Sequence, residues 1–236
     1  CDNADGTYGV YYAVIDKVNF VDGQFTEHNY SRNMTVGTLT YERNFSTVWT
    51  PFYVPFEVPV SQLADQGFEV AYINGVRRDD KDFDGELDEF AMEVIYIHGG
   101  KADGSAKTLK ANYPYFIRSK EGTKKMEITL YDEVLYAAEE REFDCTTFTE
   151  KFVITGVVKE RKPGDFNENN YLVARGDDGN ANWSNKNLTG SLRPFRFYMT
   201  VTSREDNSPI ISIASIISIV SIISIIALSR ANFPLS

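Results

Sequence analysis

WTPFYVPFEVPV, residues Trp49 to Val60, carries two interleaved patterns of period two. Phe52, Val54, Phe56, Val58 and Val60 share one parity, so an extended backbone places them on one face. Pro51, Pro55 and Pro59 share the other. Each proline lacks the N–H that a sheet ladder uses, so the stretch reads as an edge or bulged strand with its aromatic face inward. The same prolines guard that edge against pairing with a foreign sheet.

The neighbouring sequence repeats the strand signal. In FRFYMTV, Phe195, Phe197, Met199 and Val201 alternate with Arg196, Tyr198 and Thr200, and KMEITLY does the same with Met126, Ile128 and Leu130. Further strands are expected at Tyr8–Ile15, Thr38–Phe45, Phe68–Ile73, Glu93–His98, Tyr113–Arg118, Phe152–Val158 and Tyr171–Ala174, separated by DG, NG, GG and PGD turn clusters. SQLADQG suggests one helical turn with Ser61 as cap and Gly67 as stop. No long amphipathic helix precedes residue 208. The 14 Tyr and 16 Phe, beside many Thr, Val and Ile, suit pleated half-buried surfaces. The expectation is an all-β, two-layer antiparallel β-sandwich, jelly-roll-like, with an irregular Ile/Ser-rich C-terminal tail.

With 236 residues the chain can bury a sizeable core. Its 24 basic and 34 acidic residues leave a net charge of −10, which repels phosphate backbones and argues against nucleic acid as a partner. Cys1 and Cys145 are the two cysteines, and no spacing fits a zinc site. Cys145, in DCTTFTEKFVITG, reads as a small packed hydrophobe. Cys1 at the first position matches a processed lipoprotein as well as a trimmed fragment.

YERNFSTVWTPFYVPFEVPV, LKANYPYFIRSK, LYAAEE, FVITG and YLVARGDDGNANW with LRPFRFYM together resemble a domain common in secreted and surface proteins of Bacteroidetes. The resemblance runs from about Thr38 to Ser203. It implies a β-sandwich-like module in the C-terminal part of a larger surface protein, often behind leucine-rich or immunoglobulin-like repeats. It also implies export to the outer-membrane surface or beyond, with a structural or adhesive role. It carries no catalytic motif.

The organisation expected is an N-terminal segment 1–33 of extra strands or the end of a preceding module, a sandwich at 34–205 and a tail at 206–236. The tail departs from the family pattern. SPIISIASIISIVSIISIIALS carries no charge and repeats Ser every third residue, at 212, 215, 218, 221 and 224. Residues 209–229 are long enough for a membrane helix, rich enough in Ile for strands, and repetitive enough for low-complexity sequence. A period of three matches neither regular structure, so all three readings stand. Membrane association through Cys1 lipidation or through residues 209–229 is therefore an open partner class.

DDKDFDGELDEF, Asp79 to Phe90, places Asp80, Asp82, Asp84, Glu86 and Asp88 at ligand positions of a calcium loop, with Gly85 at the sharp turn. Ala91 stands where the bidentate glutamate belongs, and the flanks read as strands, so an EF-hand is excluded. A weak calcium loop and a hydrated acidic hairpin remain. Trp183 in GDDGNANWSNKNLTG, with Asn182 and Asn185, has the chemistry of a glycan site, an apolar platform beside amide donors. The alternative is a tryptophan that covers the core. His28 and His98 are the two histidines, and no GxSxG, HExxH or phosphate-cradling glycine loop occurs. No catalytic residue is assigned. The sequence reads as a noncatalytic surface module, the alternative being a carbohydrate-binding module that uses loop aromatics with calcium support.

Overall fold

A computed structural model of the chain describes residues 14–22, 30–79, 89–97, 108–146, 150–175, 181–185, 190–203 and 214–218. The strands are β1 (Val14–Val21), β2 (Met34–Phe45), β3 (Thr50–Phe52), β4 (Val58–Pro59), β5 (Phe68–Asp79), β6 (Glu89–Ile97), β7 (Thr108–Leu109) and β8 (Tyr115–Ser119). They continue with β9 (Lys124–Leu135), β10 (Glu142–Asp144), β11 (Glu150–Val157), β12 (Asn170–Arg175), β13 (Ala181–Ser184), β14 (Arg196–Ser203) and β15 (Ala214–Ser218). The all-β, sandwich-like expectation holds. One sheet has the order β1-β2-β9, a long sheet runs β10-β11-β14-β12-β13-β15-β6-β5-β8-β3, and β4 pairs with β7. Most ladders are antiparallel; β1 runs parallel to β2 and β15 parallel to β6.

Strand β9 shows how pattern becomes packing. Met126, Ile128 and Leu130 are buried while Glu127, Thr129 and Tyr131 face water, as alternation requires. Beside it, Tyr41, Arg43 and Phe45 of β2 point the same way. The free edge of β9 is covered by a side chain: Gln66 Nε2 donates to the Glu127 carbonyl at 2.8 Å, and the Glu127 N–H donates to Gln66 Oε1 at 3.0 Å. That amide imitates a neighbouring strand and protects an edge that otherwise invites pairing. At one end of the long sheet, β3 is an edge strand, as Pro51 predicts.

Two hydrophobic clusters lie on opposite faces of β5 and β8. Phe68, Val70, Tyr115 and Ile117 enter the first, with Val36, Leu39, Phe45, Met126 and Ile128 from the three-stranded sheet. Ala71, Ile73 and Phe116 enter the second, with Phe152, Ile154, Trp183, Phe197 and Met199. A strand buried on both sides loses its polar alternation, which is why Tyr115, Phe116 and Ile117 follow one another without a polar residue between them.

The Trp49–Val60 stretch spans both clusters, which corrects the one-sided reading of it. Phe52, Val54, Phe56, Val58 and Val60 lie in the first cluster, and Trp49 and Tyr53 in the second. Pro51 and Pro55 are buried too. The physical reason is that proline has no N–H to orphan, so only its carbonyl must find a partner. Arg43 Nη1 donates to the Pro51 carbonyl at 2.9 Å, and the Tyr136 N–H to the Pro55 carbonyl at 2.7 Å. The Asn112 N–H donates to the Val54 carbonyl at 2.7 Å. A segment outside the main ladder is thereby buried without unpaired carbonyls at these points.

Two further expectations need correction. Phe195 shares parity with Phe197 but lies in the first cluster, because its φ of 63° turns the backbone before β14 begins at Arg196. Helix α1 (Val60–Asp65) starts one residue before Ser61, with Pro59 at its N-cap and no side-chain cap bond. Gly67 does mark its stop, with φ of 84°. The segment 1–33, expected to hold extra strands or the end of a preceding module, carries a strand in its described part: β1 pairs along β2 and places Val18 and Phe20 in the first cluster.

Of the tail, Ala214–Ser218 is a strand, paired antiparallel with β13 and parallel with β6. Among the described residues no helix is long and apolar enough to cross a membrane.

Candidate functional site

The residues singled out for sugar binding do not converge. Trp183 is 0% exposed, with Phe116 at 6.3 Å and 79° and Phe197 at 6.3 Å and 41°. Its indole is core, the alternative that the sequence left open, so it offers no flat face to a ring from solvent. Asn182 lies one residue earlier on β13 and points to the opposite face. Asn185 Nδ2 donates to the Glu168 carbonyl at 2.9 Å and so ties down a connecting segment. Asp80, Asp82, Asp84, Glu86 and Asp88 lie outside the described residues, as do Cys1, His28 and His98. The strands on either side of the acidic loop pair antiparallel, Asp79 opposite Glu89, so β-strands flank it as the sequence implied. Among the described residues no group of His, Cys, Asp and Glu is arranged to hold a metal ion.

The charged side chains of the interior are engaged in joining strands. Arg43 is only 4% exposed and stacks 4.6 Å from the Phe45 ring centroid, in addition to its bond to the Pro51 carbonyl. Near it, Arg196 Nη2 donates to both carboxylate oxygens of Asp22, at 2.7 and 2.9 Å. Arg196 Nη1 donates to the Pro194 carbonyl at 2.7 Å. Burial, and then the neighbouring Arg43, hold the Arg196 guanidinium below its ordinary value, while Asp22 pulls the other way. Burial pushes the Tyr41 hydroxyl up in the same region. The Asp22–Arg196 pair links the end of β1 to the start of β14, far apart in the chain. The sequence does not announce it, because Asp22 stands in no motif and Arg196 reads only as an outward position of the FRFYMTV strand.

A third cation, half-buried, acts nearer the protein surface. Arg118 lies 4.4 Å from the Trp49 ring and 5.8 Å from the Tyr96 ring, and its Nε donates to Glu69 at 2.8 Å. Its Nη2 donates to Tyr96 Oη at 3.1 Å. The guanidinium is thus shared between two rings and a carboxylate across β5, β6 and β8, which fixes Trp49 in place.

Tyr53 and Cys145 are the remaining strongly perturbed groups. Tyr53 Oη donates to the Glu139 carbonyl at 2.7 Å and accepts from the Arg141 N–H at 3.3 Å. Burial pushes its hydroxyl up to about 12. Cys145 carries a free thiol that burial, helped by Asp144, pushes up to about 11. A thiol so disfavoured as thiolate is a poor nucleophile, which agrees with its reading as packing.

The described surface also holds a cleft of about 470 Å³ where the Tyr30 and Ala138 segments meet Val158 to Arg161. Its polar walls include the Arg161–Glu140 ion pair. No sequence signal marks it, because its residues come from separate connecting segments. The chain matches no protein-family model, no curated protein and no solved structure.

Proposed function

We propose that this chain is a noncatalytic structural or adhesive β-module of an exported bacterial protein, displayed on the outer-membrane surface or released outside the cell. The observation that carries the reading is how its buried polar groups are used. Arg43, the Asp22–Arg196 pair and Tyr53 each join distant segments of backbone or strand rather than meeting around a reactive centre. The edges of both main sheets support the same reading. At β3 the edge is buried, with the Pro51 carbonyl taken by Arg43, and at β9 the Gln66 amide covers the strand, so neither edge is left open to foreign pairing.

The resemblance to Bacteroidetes surface domains supports the destination. The partner class is an extracellular glycan or protein. Antibody against the chain, applied to intact cells before and after external protease, tests this. The expected result is a surface signal that protease removes. A signal that appears only after lysis contradicts it. Calcium at Asp80, Asp82, Asp84, Glu86 and Asp88 belongs to the carbohydrate alternative, and a thermal melt with millimolar calcium reads it directly. A raised midpoint supports a bound ion; an unchanged one leaves an acidic hairpin.

A further inference from the structure

Among the described strands, the long sheet is continuous only through β15. Its order places β10, β11, β14, β12 and β13 on one side of that strand and β6, β5, β8 and β3 on the other. Ser215 is paired on both flanks, with Asn182 of β13 and with Ala91 of β6. Ile216, Ile217 and Ser218 continue the parallel ladder opposite Met92, Glu93 and Val94. Without β15, two strand edges would face each other across a slot one strand wide. Edges of that kind present N–H and C=O groups that an extended segment satisfies whichever chain it belongs to.

No hairpin joins β15 to the strands it pairs with, which come from Glu89–Ile97 and Ala181–Ser184. The antiparallel ladders from β14 through β12 and β13 bring the start of β15 to the same end of the sheet as Ser203, where β14 finishes. The crossing is ~14 Å at ~4.8 Å per strand. A segment as long as 204–213 reaches roughly 33 Å, enough to lead to the slot of its own chain or of an adjoining copy. The sequence also supplies more strand than one slot holds. ASIIS at 214–218 recurs as VSIIS at 220–224, an even offset that keeps the same parity, and the two differ only at Ala214 and Val220. An exchanged strand makes the same ladder bonds as a resident one, so identical copies can trade it with little change in energy. We propose that the slot between β6 and β13 takes the Ser/Ile strand of a second copy of this chain, so that copies join by exchanging β15.

The chain's own strand competes at an effective concentration on the order of millimolar, so exchange is expected as the protein approaches that concentration. Copies carrying two different affinity tags are mixed at millimolar concentration, held below the melting midpoint, diluted and captured through one tag. The expected result is recovery of the other tag. A peptide of residues 212–218, flanked by lysines for solubility and present in excess during mixing, fills the slot and should cut that recovery about tenfold. The same peptide with Ser215→Pro should have no effect, because the proline removes an N–H from a strand paired on both sides. The proposal is overturned if the second tag is never recovered, if the SIASIIS peptide leaves its recovery unchanged, or if the proline peptide acts equally well. The tagged protein keeps its own sequence throughout, so no result depends on a variant that fails to fold. Strand exchange needs no cell surface, and the purified chain therefore tests it separately from display.

Discussion

The two hydrophobic clusters share strands β5 and β8 but are held in different ways. The first is walled by β2 and β9, whose outer faces meet water, and it admits a buried cation, Arg43, with the Asp22–Arg196 pair close by. The second holds both tryptophans, and its tightest point is Gly156, where a Cβ would come within 2.2 Å of the Tyr53 ring. The first cluster therefore takes its cation, Arg43, into the interior, whereas the second keeps its cation, Arg118, at the half-exposed margin on Trp49 and is packed tightly within. The contrast teaches that a proline-rich segment can join two such interiors, because it offers buried side chains on both faces while needing few donors.

Substitutions that act on one cluster only should sharpen the contrast. Trp183→Ala removes the largest fully buried side chain and should cost about 3–5 kcal/mol in chemical denaturation. A cost below about 0.5 kcal/mol, the value of a surface site, contradicts its burial. Gly156→Ala should cost about 1–3 kcal/mol through overpacking, and most of that should vanish in a Tyr53→Ala background. Additive effects of the two changes contradict the close contact.

Asp22→Asn tests the charged margin. It weakens the link to the largely buried Arg196 and should cost about 1–2 kcal/mol, discounted because Asp22 is partly open to water. An Arg196→Met partner variant should remove most of that sensitivity. Alkali gives the most gradual effect. In the native state Cys145 is raised from 9.0 to about 11 and Tyr53 from 10.0 to about 12, so both keep protons that the unfolded chain releases. Their contribution is present in full below pH 9 and is lost as the pH rises from there to about 12. Denaturation midpoints that stay level across that window contradict the assigned burial.

Strands with one dry face were legible from alternation alone. KMEITLY gave β9 its inner residues Met126, Ile128 and Leu130, and FRFYMTV placed Phe197, Met199 and Val201 in one cluster. Alternation could not reveal that Tyr53 and Phe52 enter different interiors, because burial on both faces erases the polar partner that marks a surface. Nor could it place Phe195, whose left-handed backbone reverses the parity of its own strand signal. The candidate site was less legible still. Trp183 stood out for its amide-rich neighbours and proved to be core, while Tyr30 and Arg161 carried no pattern, since the fold assembles their cleft from connecting segments.

The claim that Trp49–Val60 and the β5–β8 pair bind both clusters into one cooperative unit is tested most directly by equilibrium unfolding in urea, followed by two probes. Tryptophan fluorescence reports the second cluster, which holds Trp49 and Trp183, and amide hydrogen exchange along β2 and β9 reports the first. The account predicts a single transition with coincident midpoints for both probes, shifted together by Tyr53→Ala. Two separated transitions, with β2 and β9 still protected after the tryptophan signal is lost, would contradict it.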